Sequence, residues 1–183
     1  MMKTWQILLL SFAGVCALVL GSSLAGGHRG QLPQRTPEIV TVTPQRTPAP
    51  GEFTNYYTEQ RVKGAQAMLA DKLSAGNFAV SYRYDNVNGY VFYDLVNPDM
   101  DRFFIDEVKN NMDEYGEDWN TISRELVRIQ SIIQDTFTDA GDETLVIIDI
   151  LNPDNTDEVW LSVANGIAGY DVVNGIDLLN DQS

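Results

Sequence analysis

Carboxylates are the residues of this chain that could do chemistry. Residues 52–183 hold 25 aspartates and glutamates but no cysteine and no histidine, since Cys16 and His28 precede them. Hydrolysis by a Ser-His-Asp triad or a Cys-His pair, and zinc binding by histidine, are therefore excluded there. A carboxylate pair remains open, although an adjacent pair is expected by chance in so acidic a sequence. We predict no catalytic residue and, without a glycine-rich phosphate loop, no cofactor.

Two acidic turns are candidate cation sites. Asp99 and Asp101 follow one predicted strand, and Asp154 and Asp157 follow another. Calcium takes about six to eight oxygen ligands, and neither turn has the spacing of an EF-hand loop. Because Asp and Asn in turns commonly bond their own backbone, we expect these residues to shape turns and predict no metal site.

Charge is distributed unevenly along the chain. The whole sequence of 183 residues has a net charge of −14, but residues 52–183 hold 8 basic against 25 acidic residues, a net −17, and residues 1–51 carry +3. Such an acidic domain repels phosphate backbones and anionic lipid headgroups. We therefore exclude nucleic acid as a partner, and we expect membrane contact only through the N-terminus.

Residues 1–27 predict export from the cytoplasm. Lys3 is followed by an uncharged, largely apolar run, and small residues place a signal-peptide cleavage after Ala25. Residues 5–25 are also long enough for a membrane anchor, which needs about 20 predominantly apolar residues. We expect the anchor rather than the cleaved signal, because the next segment looks like a spacer.

Residues 28–51 predict a stalk. They hold five of the seven prolines, and the pentapeptide Pro-Gln-Arg-Thr-Pro occurs at 33–37 and again at 44–48. This proline density favours extended polyproline II structure over helix or sheet. A ligand for a proline-binding module is the alternative, but neither copy has the PxxP spacing.

Residues 52–183 predict one α+β domain. Apolar residues at helical spacing indicate three helices, the second ended by Gly116, while alternating segments and turn residues indicate about five strands. The order α-β-β-α-α-β-β-β implies a largely antiparallel sheet. The predicted elements are helices at about 54–75, 101–116 and 118–139 and strands at about 78–84, 90–96, 145–151, 159–164 and 167–173.

Two of these strands have similar sequences. Residues 90–99 and 145–154 are identical at five of ten positions and both end in Asn-Pro-Asp. The first copy leads into a helix and the second into a hairpin, so we attribute the similarity to convergence on one type of turn.

The sheet is predicted to carry large apolar groups on both faces. If Asp94 and Asp149 share one face, period-two alternation places Phe92 and Ile147 with them, and Trp160 beside Ser162 in the hairpin strand. Phe92, Ile147 and Trp160 then either lie under a helix or form an exposed partner surface. We expect a helix to cover them, because three helices are available for two faces.

Residues 119–174 also resemble a known type of domain. Trp119-Asn120, Val146-Ile147-Ile148, Leu161-Ser162-Val163 and Asn165-Gly166 are among the landmarks. They resemble an uncharacterised exported or lipoprotein-borne α+β domain common in gut clostridia. The shared positions are turns and core residues, so the resemblance implies location and fold and adds no site.

These features predict an exported or membrane-tethered cell-envelope protein. We expect a non-enzymatic binding domain on a stalk, whose partner is another envelope protein or a wall polymer. Two alternatives stay open: a small carboxylate-based hydrolase of cell-wall glycan, which requires two carboxylates about 5–10 Å apart in a cleft, and a purely structural spacer.

Overall fold

The computed structural model describes residues 49–101 and 103–178. The predicted signal peptide or anchor, the cleavage after Ala25 and residues 28–48 of the predicted stalk lie outside these residues. Within the described part of the chain, no helix has both the length and the apolar character needed to span a bilayer.

The described residues contain three α-helices and six strands, which confirm the predicted α+β class. The helices are α1 (Tyr56–Leu73), extended by a 3-10 turn at Ser74–Gly76, α2 (Phe104–Asn110) and α3 (Met112–Thr138). The strands are β1 (Ala79–Asp85), β2 (Tyr90–Val96), β3 (Leu145–Asn152), β4 (Asn155–Ala164), β5 (Ile167–Asp171) and β6 (Ile176–Asp177).

The six strands lie in the sheet in chain order, one more than the five we predicted. Every neighbouring pair is antiparallel except β2 and β3, which are parallel. A parallel pair cannot be joined by a tight turn, and here α2 and α3 make the crossover. The predicted order of helices and strands is otherwise confirmed.

The boundary between α2 and α3 differs from the prediction. Gly116 does not end a helix but lies inside α3, and the break falls at Asn111, whose backbone is non-helical (φ −130°, ψ 46°). A Cβ at position 116 would lie 2.9 Å from the Met112 side chain, so glycine gives Met112 room on the helix surface. Tyr115, just before Gly116, is buried, and its packing outweighs the weak helix propensity of glycine.

All three helices pack on one face of the sheet. The Tyr93 hydroxyl of β2 donates a hydrogen bond to the Val62 carbonyl of α1 at 3.1 Å. Phe104 of α2 packs against Trp160 of β4, with ring centroids 6.1 Å apart. From α3, the buried Gln130 amide donates to the Val146 carbonyl of β3 at 2.9 Å. The buried apolar side chains of the helices join one core with this face of the sheet.

Candidate functional site

Among residues 49–101 and 103–178, no helix covers the second face of the sheet, contrary to our expectation of coverage. The core side chains of β2 and β3, such as Tyr93 and Ile148, alternate with Phe92, Asp94, Ile147 and Asp149, which point away from the helices. The apolar stripes of the three helices are all used on the first face, so none is left for the second. Phe92 and Ile147 are consequently only half-buried.

Trp160 does not belong to this open face, and its predicted place in a partner surface with Phe92 and Ile147 is wrong. Along β4, Leu161 pairs with Ile150 but the next pair is Val159 with Leu151, so Trp160 is an extra residue. This β-bulge breaks the alternation and turns Trp160 and Leu161 to the same side. Trp160 is therefore buried against Phe104 in the core.

A concavity of about 730 Å³ lies on the open face, and we call it the open-face groove. Every residue that lines it belongs to a strand, and the β4 bulge places Val159, instead of Trp160, among the lining residues. The lining residues are Arg83, Phe92, Ile147, Asp149, Asp157, Glu158, Val159, Ser162, Ala164, Tyr170 and Asp177.

One arginine and two carboxylates form a charged cluster at the groove, which Arg83 and Asp149 line. Arg83 Nε and Nη2 donate to the two oxygens of Asp94 at 2.7 and 2.9 Å, a bidentate ion pair. Nη2 of the same guanidinium is 3.8 Å from Asp149 Oδ2. The guanidinium carbon also lies 4.6 Å from the ring centre of Phe92. Arg83 is 60% exposed, whereas both carboxylate side chains are under 10% exposed.

Asp149 is the least satisfied member of this cluster. Its side chain is only 6% exposed, and its Oδ1 atom is buried with no hydrogen-bond partner in the part of the chain that the structure describes. Burial raises the pKa of Asp149 to about 6, and the nearby Asp94 carboxylate adds to the rise, while the Ser162 hydroxyl and Arg83 oppose it. Near neutral pH, the groove therefore holds a carboxylate that is charged at an energetic cost.

Three of the four candidate cation ligands, Asp99, Asp101 and Asp154, lie outside the strands and do not line the groove, whereas Asp157 lies in β4 and lines it. Asp99 accepts a hydrogen bond from the Asn77 amide at 2.8 Å, and Asp101 accepts one from the Phe103 backbone at 2.9 Å. Asp154 donates its backbone N–H to Asn152 Oδ1, and Asp157 lies on the groove rim. Across residues 49–101 and 103–178, no three His, Cys, Asp or Glu side chains are arranged to hold a metal ion.

The sequence did not predict the charged cluster as a site, but it contained a signal for it. The two similar segments, 90–99 and 145–154, run side by side as β2 and β3 in matching register, so Asp94 pairs with Asp149. Each segment ends in the same turn, in which Asn97 or Asn152 accepts from the backbone two residues on, at 2.9 Å. If the similar segments are taken as paired neighbouring strands, Asp94 and Asp149 fall side by side.

No protein-family model, curated protein or solved structure matches this chain. The resemblance to a clostridial exported domain therefore stays a prediction.

Proposed function

We propose that this chain is an exported or membrane-tethered cell-envelope protein. Its acidic α+β domain, carried on the stalk, binds another envelope protein through the open-face groove. The N-terminal sequence supports the location, since an uncharged apolar run precedes a proline-rich segment. The open sheet face supports the binding role, because a half-buried apolar surface, left uncovered by the helices of the described residues, is typical of a partner site.

The observation that carries this proposal is the placement of Asp149. A buried carboxylate with an oxygen that lacks a partner destabilises the folded domain. A neutral residue at this position would avoid that cost, and the core face of the same strand carries the apolar Val146, Ile148 and Ile150. Residues that reduce stability without a structural benefit are commonly found at binding and catalytic sites.

Site-specific photo-crosslinking in the native host tests the proposal. Benzoylphenylalanine replaces Ile147 in the groove or, as a control, Ile132, which is exposed on α3 on the opposite side of the sheet. We expect an adduct of one defined mass from position 147 and none from position 132. Equal labelling at both positions, or none at either, would contradict a binding role for the groove and favour a structural spacer.

A second candidate function is hydrolysis of a cell-wall glycan, and one observation favours it. Asp149 has the raised pKa of a general acid and lines a concavity beside a second carboxylate. The second carboxylate, Asp94, has both oxygens bound by Arg83, so it would have to leave that ion pair to act as a nucleophile or base. Release of reducing ends from purified cell wall, abolished by Asp149→Asn, would establish this function.

A further inference from the structure

The charge of the open-face groove selects among partners. One cation, Arg83, and four carboxylates, Asp149, Asp157, Glu158 and Asp177, line it. The cation is already bound to Asp94 and lies beside Asp149, so it offers little attraction to an anion. Glu158, at the rim, accepts a hydrogen bond from the Asn152 amide. The groove therefore attracts positive charge, in agreement with the net −17 of residues 52–183.

The floor of the groove adds an apolar requirement. Phe92, Ile147, Val159 and Ala164 are all half-buried, and together they leave hydrocarbon surface in contact with water. Arginine and lysine side chains suit such a surface, since they carry a charged head on an apolar stem. Flanking apolar side chains would cover the remainder of the floor.

One buried carboxylate oxygen beside the groove has no hydrogen-bond donor among the described residues. Asp149 Oδ1 is itself closed to solvent, but the carboxylate lines the groove and is 6% exposed, so a guanidinium or ammonium group from a partner, placed against it, would supply compensating charge. A neutral glycan hydroxyl would bring no positive charge to the groove. Anionic wall polymers would be repelled by the rim carboxylates.

We propose that the open-face groove binds a basic peptide segment of a partner protein in which apolar residues flank the basic ones. An arginine or lysine of that segment is held by Asp149 and by Asp157 and Glu158 at the rim. This inference rests on the proposed function and adds the chemistry of the partner. The segment lies across β2, β3 and β4 on the open face, and its charge gives the association a strong dependence on ionic strength.

Fluorescence anisotropy with a defined probe tests the proposal. The full chain in detergent micelles is titrated against labelled Ala-Leu-Arg-Leu-Arg-Leu-Ala. Two control peptides replace either both arginines with glutamine or all three leucines with serine. We expect the unmodified probe to bind at least about tenfold more tightly than either control, since each loses one of the two required features. Raising the salt concentration from 50 to 500 mM should weaken binding by a similar factor.

Two protein variants locate the binding. Asp149→Asn removes the buried charge with no change in shape and should weaken probe binding about tenfold, the usual effect of losing one charge-assisted hydrogen bond. Asp135→Asn makes the same change of charge on the exposed surface of α3 and should leave the affinity unchanged. Asp157→Asn, at the rim, should weaken binding by a smaller factor. Circular dichroism confirms that each variant is folded.

Several results would overturn the proposal. Equal affinity for the glutamine control peptide, or unchanged affinity after Asp149→Asn, would show that cation binding at this site is wrong.

Displacement of the probe by a neutral chito-oligosaccharide would point to a glycan instead. A dimer that Asp149→Asn dissociates would make a second copy the occupant. Tighter probe binding after Arg35→Gln and Arg46→Gln would make the chain's own basic segment the occupant. A crosslink at position 147 without probe binding would reject this inference and leave the proposed function standing.

Discussion

Replacing Asp149 with asparagine should stabilise the protein at neutral pH. The pKa of Asp149 is about 6 in the folded domain, against an ordinary value of 3.8. A raised carboxyl pKa means that the folded state favours the protonated form. The stability that this protonation contributes is fully present below pH 3.8 and is lost as the pH rises through about 6. The difference between the two pKa values corresponds to about 3 kcal/mol in the free energy of unfolding.

The groups that face Asp149 determine how much of this gain is realised. Arg83 of β1 favours the charged form, Asp94 of β2 opposes it, and the Ser162 hydroxyl of β4 donates to the carboxylate. The asparagine carbonyl can accept in place of Oδ2, and its amide takes the position of the unpartnered Oδ1. We therefore expect Asp149→Asn to raise the free energy of unfolding by about 1–3 kcal/mol at pH 8.

Urea denaturation followed by tryptophan fluorescence measures this effect, since Trp119 and Trp160 are buried. The gap between the variant and the wild-type protein should shrink by about 1.4 kcal/mol between pH 8 and pH 5, because Asp149 is then largely protonated. Asp135→Asn, as a matched control on the exposed surface of α3, should change stability by less than about 0.5 kcal/mol at both pH values. A variant less stable than wild type at pH 8, or a gap that does not change with pH, would refute the reasoning.

Three further predictions follow from the same geometry. Trp160→Ala should lower the free energy of unfolding by about 3–5 kcal/mol because it empties a core position. Phe92→Ser, on the open face, should lower it by less than about 1.5 kcal/mol. Similar losses for the two variants in urea denaturation would show that the two faces are not distinct. Arg83→Met should lower the free energy of unfolding by about 2 kcal/mol at pH 7.5, because it removes the ion-pair partner of the buried Asp94. The loss is smaller than for a fully buried ion pair, since Arg83 is 60% exposed. An unchanged denaturation midpoint would contradict this. Limited proteolysis should cut within residues 28–51 and leave 52–183 intact, and early cuts between β2 and β5 would disprove that domain boundary.

The sequence predicted which helices and strands form better than it predicted which face of the sheet each side chain occupies. Helical spacing of apolar residues in α3 and the Asn165-Gly166 turn between β4 and β5 are local signals, and they identified elements that the structure contains. The extra residue at Trp160 is not a local signal, because a bulge depends on how β4 pairs with β3. The assumption of strict alternation therefore put Trp160 on the wrong face.

The candidate site was harder to predict for a related reason. Asp94 and Asp149 are 55 positions apart, and only the parallel pairing of β2 with β3 brings them together. Arg83 reaches both from the neighbouring edge strand, and nothing in its local sequence identifies it as their partner. Coverage of the second face depended on where α2 and α3 pack, which the number of helices does not determine.

The measurement that tests the central claim most directly combines stability and partner binding in one variant. The claim is that Asp149 lowers the stability of the domain and serves partner binding in the open-face groove. In Asp149→Asn, the free energy of unfolding at pH 8 should rise while the photo-crosslink from position 147 in the native host falls several-fold; Asp135→Asn should change neither. A crosslink that persists undiminished in the stabilised Asp149→Asn variant would show that the carboxylate does not serve binding and would contradict the account.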